Sequence, residues 1–200
     1  MKEPSSAQKV IPVSLLLMMQ GQAVLPEVTL KALLTFGGRD SEGQLVEAVS
    51  LPWFEILEII QRDPRAAYEI VPRKWEEIIA GAYRQAGFDE VVLTPRSGDK
   101  GRDVVATKFG VGSVRIFDQM KAYKPGHVVT AEEVRAMLGV ITGADNVSKG
   151  VVTTTSNFAP RLAEDPYISK YIPYRLELKP KEVLFPWLEQ LAVKKGSKGE

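Results

Sequence analysis

Apolar residues recur at two spacings along the chain, and the changes of spacing mark out its elements. Residues 10–19, 28–36 and 44–49 lean toward strand and are punctuated by Gly21, Pro26, Gly37, Gly38 and Gly43, which predicts a small antiparallel meander. Pro52 opens a helix in which Trp53, Ile56, Leu57 and Ile60 fall at i, i+3, i+4 and i+7, giving it one inward face. Asp63 and Pro64 form an N-cap and first position for a further short helical turn. The best-marked helix starts near Pro72, turns Trp75, Ile78, Ile79, Ala82, Tyr83 and Ala86 inward, and stops at Gly87, which can adopt the left-handed conformation of a helix end.

Three strands are predicted next, at 91–94, 102–108 and 113–121, joined by the turn sequences SGDKG and FGVG. Residues 131–142 give a helix with Val134, Met137, Leu138 and Ile141 inward, and residues 150–154 a short buried strand. Ser156 and Asn157 are placed to cap a following helix. Beyond Pro160, Pro166 and Pro173, residues 174–178 read as a last strand and 181–193 as a closing helix.

Composition fits this picture. In 200 residues, 44% hydrophobic and 26% charged side chains support one packed core with at most a small appendage, and exclude disorder, collagen-like repeats and coiled coil. The absence of cysteine removes disulfides, thiolate metal sites and cysteine nucleophiles. The longest apolar run, residues 10–19, is about half of a membrane span. Glu3 interrupts what would be the basic start of a secretory signal, so a cytoplasmic protein with no membrane partner is expected. Net charge is only +1, but it is unevenly spread: residues 1–70 hold 6 basic and 9 acidic side chains, the remainder 20 and 16. Residues 95–126 carry seven basic against three acidic groups, which suits a surface that grips phosphate and equally a solvated hairpin.

Candidate chemistry lies in the same stretch. Strand periodicity sets Gln119 and Lys121 on one face, with Met120 turned away, and Asp103 begins the neighbouring strand. Adjacent strands are about 4.8 Å apart, so an acid on one and a Gln-x-Lys pair on the next can converge around one hydrated divalent ion. Glu76, bordering the apolar stripe of its helix, can complete the cluster, whereas Glu77 turns toward solvent. Asp103, the Gln119 amide oxygen and Glu76 are hard oxygen donors suited to magnesium or manganese, and Lys121 can orient water and offset charge on a phosphate. Taken singly, Asp103 also reads as a hairpin cap, Glu76 as a first-turn acid and Lys121 as a solvated strand end. His127, alone in its loop, receives no role. Thr154, Thr155 and Ser156 read either as strand and cap residues or as donors to a phosphate.

The strings WEEIIAGAYRQAGF at 75–88, SGDKGRDVV at 97–105, QMKAY at 119–123 and GVVTTTSNF at 150–158 together resemble the Mrr-type branch of the PD-(D/E)XK restriction-endonuclease-like superfamily. The resemblance covers about residues 64–193 and implies an α/β fold, a restriction-endonuclease-like core with a mixed central β-sheet flanked by helices. Residues 1–63 are then a small β-rich N-terminal extension ending in a helix, and residues 194–200 a basic tail. The implied activity is metal-dependent hydrolysis of DNA phosphodiester bonds, in restriction of foreign or modified DNA, with Mg2+ or Mn2+. Asp103, Gln119 and Glu76 hold the metal and Lys121 completes the catalytic set, while Lys100, Arg102, Thr154, Thr155 and Ser156 contact DNA. One centre cuts one strand, so cleavage of both calls for a homodimer or larger assembly. Gln119, in place of an acid, removes one negative charge from the site and leaves a DNA-binding module without turnover as the alternative.

Overall fold

The computed structural model describes residues 25–97 and 100–193, so the expected strand at 10–19, the turn residues Gly98 and Asp99, and the basic tail lie outside the described residues. Its elements in chain order are α1 (Leu25–Thr29), β1 (Leu34–Arg39), β2 (Gln44–Val49), α2 (Leu51–Arg62), a 3-10 turn (Pro64–Glu69), α3 (Pro72–Gln85), β3 (Glu90–Leu93), β4 (Val104–Lys108), β5 (Val114–Lys121), β6 (Val128–Val129), α4 (Ala131–Thr142), β7 (Lys149–Thr154), β8 (Asn157–Phe158), β9 (Leu176–Lys179) and α5 (Lys181–Val193). Seven strands form one mixed sheet in the order β1-β2-β3-β4-β5-β7-β9. Pairing is antiparallel from β1 to β5 and parallel from β5 through β7 to β9. The parallel step from β5 to β7 is made by the crossover through α4 and that from β7 to β9 by residues 155–175, the long connections that parallel neighbours require.

The two faces of the sheet have separate cores. Trp53, Ile56, Trp75, Ile78, Ile79, Leu184 and Leu188 bring α2, α3 and α5 onto one face, against Val91, Leu93, Val104, Ala106 and Met120. Val134, Met137, Leu138 and Ile141 bring α4 onto the other, against Val92, Val105, Phe117 and Val152. Of the residues predicted inward on α3, Trp75, Ile78, Ile79, Ala82 and Tyr83 are buried, whereas Ala86 is exposed, because the helix ends at Gln85 and Ala86 is its C-cap. Gly87, at φ +88, ends the helix with Phe88 N–H donating to Tyr83 O (3.2 Å), a left-handed C-terminal closure.

Two local expectations change. The strand expected over 28–36 is instead α1 followed by β1: Pro26 and Glu27 fall in a first helical turn, where a fixed φ and an acid are favoured, and extension resumes at Leu34. The helix expected after Ser156 is the two-residue strand β8, which pairs in parallel with β6.

Residues 34–62 share one sheet and one core with β3 and α3. Gln44 pairs with Leu93 and Leu45 with Val92, and the buried Trp53 indole donates to Ile78 O (3.0 Å). Gly81 makes that crossing feasible, because a Cβ there would run into the indole nitrogen of Trp53. Glu42, in the β1–β2 turn, accepts from Arg102 (2.9 Å) and Arg115 and so ties the hairpin tip to β4 and β5. Among the described residues no helix is long and apolar enough to cross a membrane.

The α2–α3 contact sets a stability test. Gly81→Ala is expected to cost about 1–3 kcal/mol by overpacking and Trp53→Ala about 3–5 kcal/mol by loss of the buried ring. In the double variant the cleared space accepts the new methyl group, so urea unfolding should show a loss smaller than the sum of the two. Strict additivity would contradict the contact.

Candidate active site

Strands β4 and β5 run in register from Lys108 and Val114 to Val104 and Asp118, and there they part. Asp103 N–H still donates to Asp118 O (2.8 Å), but the next donor, Met120 N–H, is taken by the Asp103 carboxylate, with Oδ2 at 2.7 Å. The far side of Asp103 is also fixed: its carbonyl accepts from Thr94 N–H (3.0 Å) and from the Thr94 hydroxyl (3.1 Å). An acid is thereby held, partly exposed, at the point where two strands separate.

Alternation along β5 then sorts the remaining groups. Ile116, Asp118 and Met120 face α3 and α5, while Phe117, Gln119 and Lys121 face the α4 side. Gln119 and Lys121 are partly exposed, and among the described residues the Gln119 amide makes no hydrogen bond. Glu76 stands on the opposite face. Its carboxylate is ion-paired with Arg73 (2.5 Å), which also donates to Thr94 O (3.0 Å), so it is linked to Asp103 through the end of β3. Asp103, Gln119 and Lys121 thus stand where β4 and β5 end, while Glu76 approaches the end of β3 from the other face of the sheet. Among the described residues no three His, Cys, Asp or Glu side chains converge as a metal site. Asp103 and the amide oxygen of Gln119 are hard oxygens of the kind a divalent ion retaining much of its water takes.

Lys121 has a partner that the sequence pattern did not single out. Its Nζ lies 3.7 Å from Glu133 Oε1, and Glu133 also accepts from the Tyr123 hydroxyl and from Thr130 N–H (2.9 Å) and Oγ1 (3.1 Å). Burial opposes ionisation of Glu133, but the Thr130 N–H, the two hydroxyls and the Lys121 charge outweigh it and hold its pKa below the ordinary value. Burial, followed by the hydrogen bond and charge of Glu133, pushes the Tyr123 hydroxyl up to about 12, which keeps it a proton donor.

The expected DNA contacts divide. Lys100 is exposed, in a left-handed conformation at φ +55. Arg102 is held by Glu42 and lies over the Phe117 ring at 4.4 Å. Thr154, Thr155 and Ser156 are buried, and their hydroxyls donate to Lys121 O (2.8 Å), Tyr123 O (2.7 Å) and His127 O (2.5 Å). They clamp the chain that leaves β5 and do not stand at the surface as phosphate donors. The chain leaving β5 supplies the carbonyls, and the hydroxyls at and after the end of its parallel neighbour β7, being buried, need such acceptors. The His127 ring stands against Tyr123, with centroids 4.1 Å apart.

One strand position before Gln119, Asp118 is fully buried on the other face. Its Oδ2 accepts from Tyr83 (2.7 Å) and Thr153 (2.9 Å), while Oδ1 has no partner among the described residues. Burial pushes its pKa up from 3.8 to about 6, against the opposing pull of Lys179 and the two hydroxyls. Lys179 is itself buried over the Trp187 ring, 3.8 Å from its centroid.

Residues 67–165 match the family model of the Mrr catalytic domain, described as restriction endonuclease. No curated protein matches the sequence. Among solved structures the chain is similar to the MspJI restriction endonuclease in complex with a 27-mer oligonucleotide, at 18% identity and a TM-score of 0.47, covering 70% of this chain and 35% of that one. It is also similar to the DNA modification-dependent restriction endonuclease AspBHI, again at 18% identity and a TM-score of 0.47, covering 82% of this chain and 44% of that one. The chain therefore spans less than half the length of either protein.

The Asp118 shift sets a pH test with a definite sign. The folded carboxyl holds its proton up to about pH 6 while the unfolded one releases it near 3.8, so the folded state binds the extra proton between those values. Stability from this group is full below the unfolded value and falls by about 3 kcal/mol as pH rises through the window. Urea unfolding of wild type and Asp118→Asn at pH 4 and pH 7 should show that loss in the wild type relative to the variant. Parallel behaviour of the two would contradict it.

Proposed function

Residues 67–165 belong to the Mrr-type restriction-endonuclease family, and from that premise we propose that the chain is a divalent-metal-dependent endonuclease that hydrolyses phosphodiester bonds in DNA. The observation that carries this reading is the parting of β4 and β5 at Asp103, with Gln119 and Lys121 on the adjoining strand end. Asp103 and Gln119 would hold Mg2+ or Mn2+, with Glu76 contributing its charge beside Thr94. When bound, such an ion lowers the pKa of water and offsets negative charge at a phosphate.

The chain's own residues supply the rest. Lys121 brings a fixed positive charge and three N–H donors to the phosphate oxygens, where charge builds as the water oxygen bonds to phosphorus. The bond from phosphorus to the leaving sugar oxygen then breaks, the attacking water gives up one proton to solvent, and the leaving oxygen takes up one from solvent. Lys100, exposed beside the Asp103 turn, is the phosphate contact that needs no rearrangement. Arg102 can join it where a phosphate competes with Glu42 for the guanidinium. Burial of Thr154, Thr155 and Ser156 gives them a different task, holding Lys121, Tyr123 and His127 by their carbonyls. Restriction of foreign or modified DNA is the activity of this family that the reading extends to the chain, and cleavage of both strands would take two copies.

A second reading has an observation of its own. Gln119 is neutral and Glu76 is neutralised by Arg73, so little negative charge faces a metal, as in a DNA-binding module that has lost turnover.

Supercoiled plasmid, methylated and unmethylated, incubated with Mg2+ or Mn2+ separates the two. The nuclease reading predicts nicking that chelator abolishes and that falls about a hundredfold or more in Asp103→Ala and in Lys121→Ala. Wild type that nicks no faster than both variants, yet binds the plasmid with chelator present, would leave the module without turnover.

A further inference from the structure

Helix α4 begins with a capping box, in which the Thr130 hydroxyl accepts from Glu133 N–H while Glu133 accepts from Thr130 N–H. That motif needs one carboxylate oxygen, and Oε2 provides it. The other oxygen, Oε1, turns away from the helix toward the end of β5, where it accepts from the Tyr123 hydroxyl and lies 3.7 Å from Lys121 Nζ. Capping alone explains neither contact. The neighbouring acid Glu132 is exposed and shows what an uncommitted first-turn carboxylate does on this helix.

The geometry matters because of what lysine is. Its ammonium sits on a flexible four-carbon stem and has no preferred direction of its own. Fixing such a charge against a strand-end hollow takes a counter-charge that is itself fixed. Glu133 qualifies, since three donors and the helix N-terminus hold its carboxylate in one place as an anion. The two side chains are 22% and 23% exposed, so their attraction is less screened than that of a surface pair. At 3.7 Å the ammonium is tethered and still longer than a direct charged hydrogen bond, about 2.7–2.9 Å, which leaves its N–H donors available to a phosphate.

We infer that Glu133 is a positioning residue for Lys121: from the first turn of α4 it holds the ammonium toward the Asp103–Gln119 rim, with Tyr123 locking the carboxylate in place. The inference rests on the proposed role of Lys121 in phosphodiester hydrolysis. It adds to the site a residue 12 positions downstream, on an element that touches neither Asp103 nor Gln119 through any contact described above.

Two measurements test it. The first is plasmid nicking at saturating Mg2+. Glu133→Gln is expected to lower kcat about ten- to a hundredfold with KM and the thermal midpoint close to wild type, and Tyr123→Phe to lower kcat less. In a Lys121→Ala background Glu133→Gln should have no further effect, and Glu132→Gln should match wild type throughout. Unchanged or raised kcat in Glu133→Gln, or an equal loss with and without Lys121, would overturn the inference. The second needs no turnover: the acylation rate of Lys121 Nζ by an amine reagent, followed by mass spectrometry. Release of the tether should raise that rate several-fold in Glu133→Gln and leave it unchanged in Glu132→Gln, and equal rates in all three proteins would overturn the tether. A wild type that fails to nick faster than Asp103→Ala refutes the nuclease reading, while the acylation rates still decide whether Glu133 holds Lys121.

Discussion

A strand at the end of a ladder carries an N–H group that needs an acceptor, and at the end of β5 that group is Met120 N–H. Its acceptor is the carboxylate of Asp103, at 2.7 Å. Because a side chain takes the place that a strand carbonyl would occupy, β4 and β5 stop pairing there and the carboxylate is fixed in the gap. The backbone of Asp103 is held at the same time by Asp118 O and by Thr94. One residue therefore ends the ladder, opens the rim and presents charge to it, and the positions of Gln119, Lys121 and Glu76 acquire meaning only relative to that point.

The alternation of β5 divides the labour between two carboxylates at the end of the β4–β5 ladder. Asp118, on the α3 side, is sealed among Tyr83, Thr153 and Lys179, and its pKa rises toward 6. Asp103 stays partly exposed at the rim. Burial disfavours the anionic form of Asp118, whereas the Asp103 carboxylate is met at the strand end by the Met120 N–H. On the α4 side the same strand presents Phe117, Gln119 and Lys121, so an aromatic floor, an amide and an ammonium run from beneath α4 to the open edge. Burial of Thr154, Thr155 and Ser156 supports that edge from the next strand by holding the carbonyls of Lys121, Tyr123 and His127.

Much of this was legible in the sequence, for physical reasons that also mark where legibility stopped. Helical spacing identified the buried face of α3, and period two placed Gln119 and Lys121 on a common face, since both depend on local geometry alone. The seven-stranded sheet adds what local geometry cannot: it sets Glu76 on the face opposite Gln119 and brings its helical partner Arg73 to Thr94 O at the end of β3. The Thr130-x-x-Glu133 spacing is a capping signal in any chain, but the turn of Oε1 toward Lys121 depends on the crossover that lays α4 beside the end of β5. The hydroxyl run at Thr154 was open to opposite readings because threonine serves strands, caps and anion sites equally well, and only its parallel neighbour decided between them. At the N-terminal side, Pro26 and Glu27 marked a helix start within a stretch whose apolar content leaned toward strand, and in five residues the start signal prevailed.

On the proposed reading Asp103, fixed where β4 and β5 separate, anchors a divalent-cation site. The most direct test is titration of Mn2+ into wild type and Asp103→Asn, followed by electron paramagnetic resonance of the free ion. Saturable loss of the free Mn2+ signal is expected in the wild type, and little beyond nonspecific binding in the variant. Equal uptake by the two proteins, with the fold of the variant intact, would contradict it.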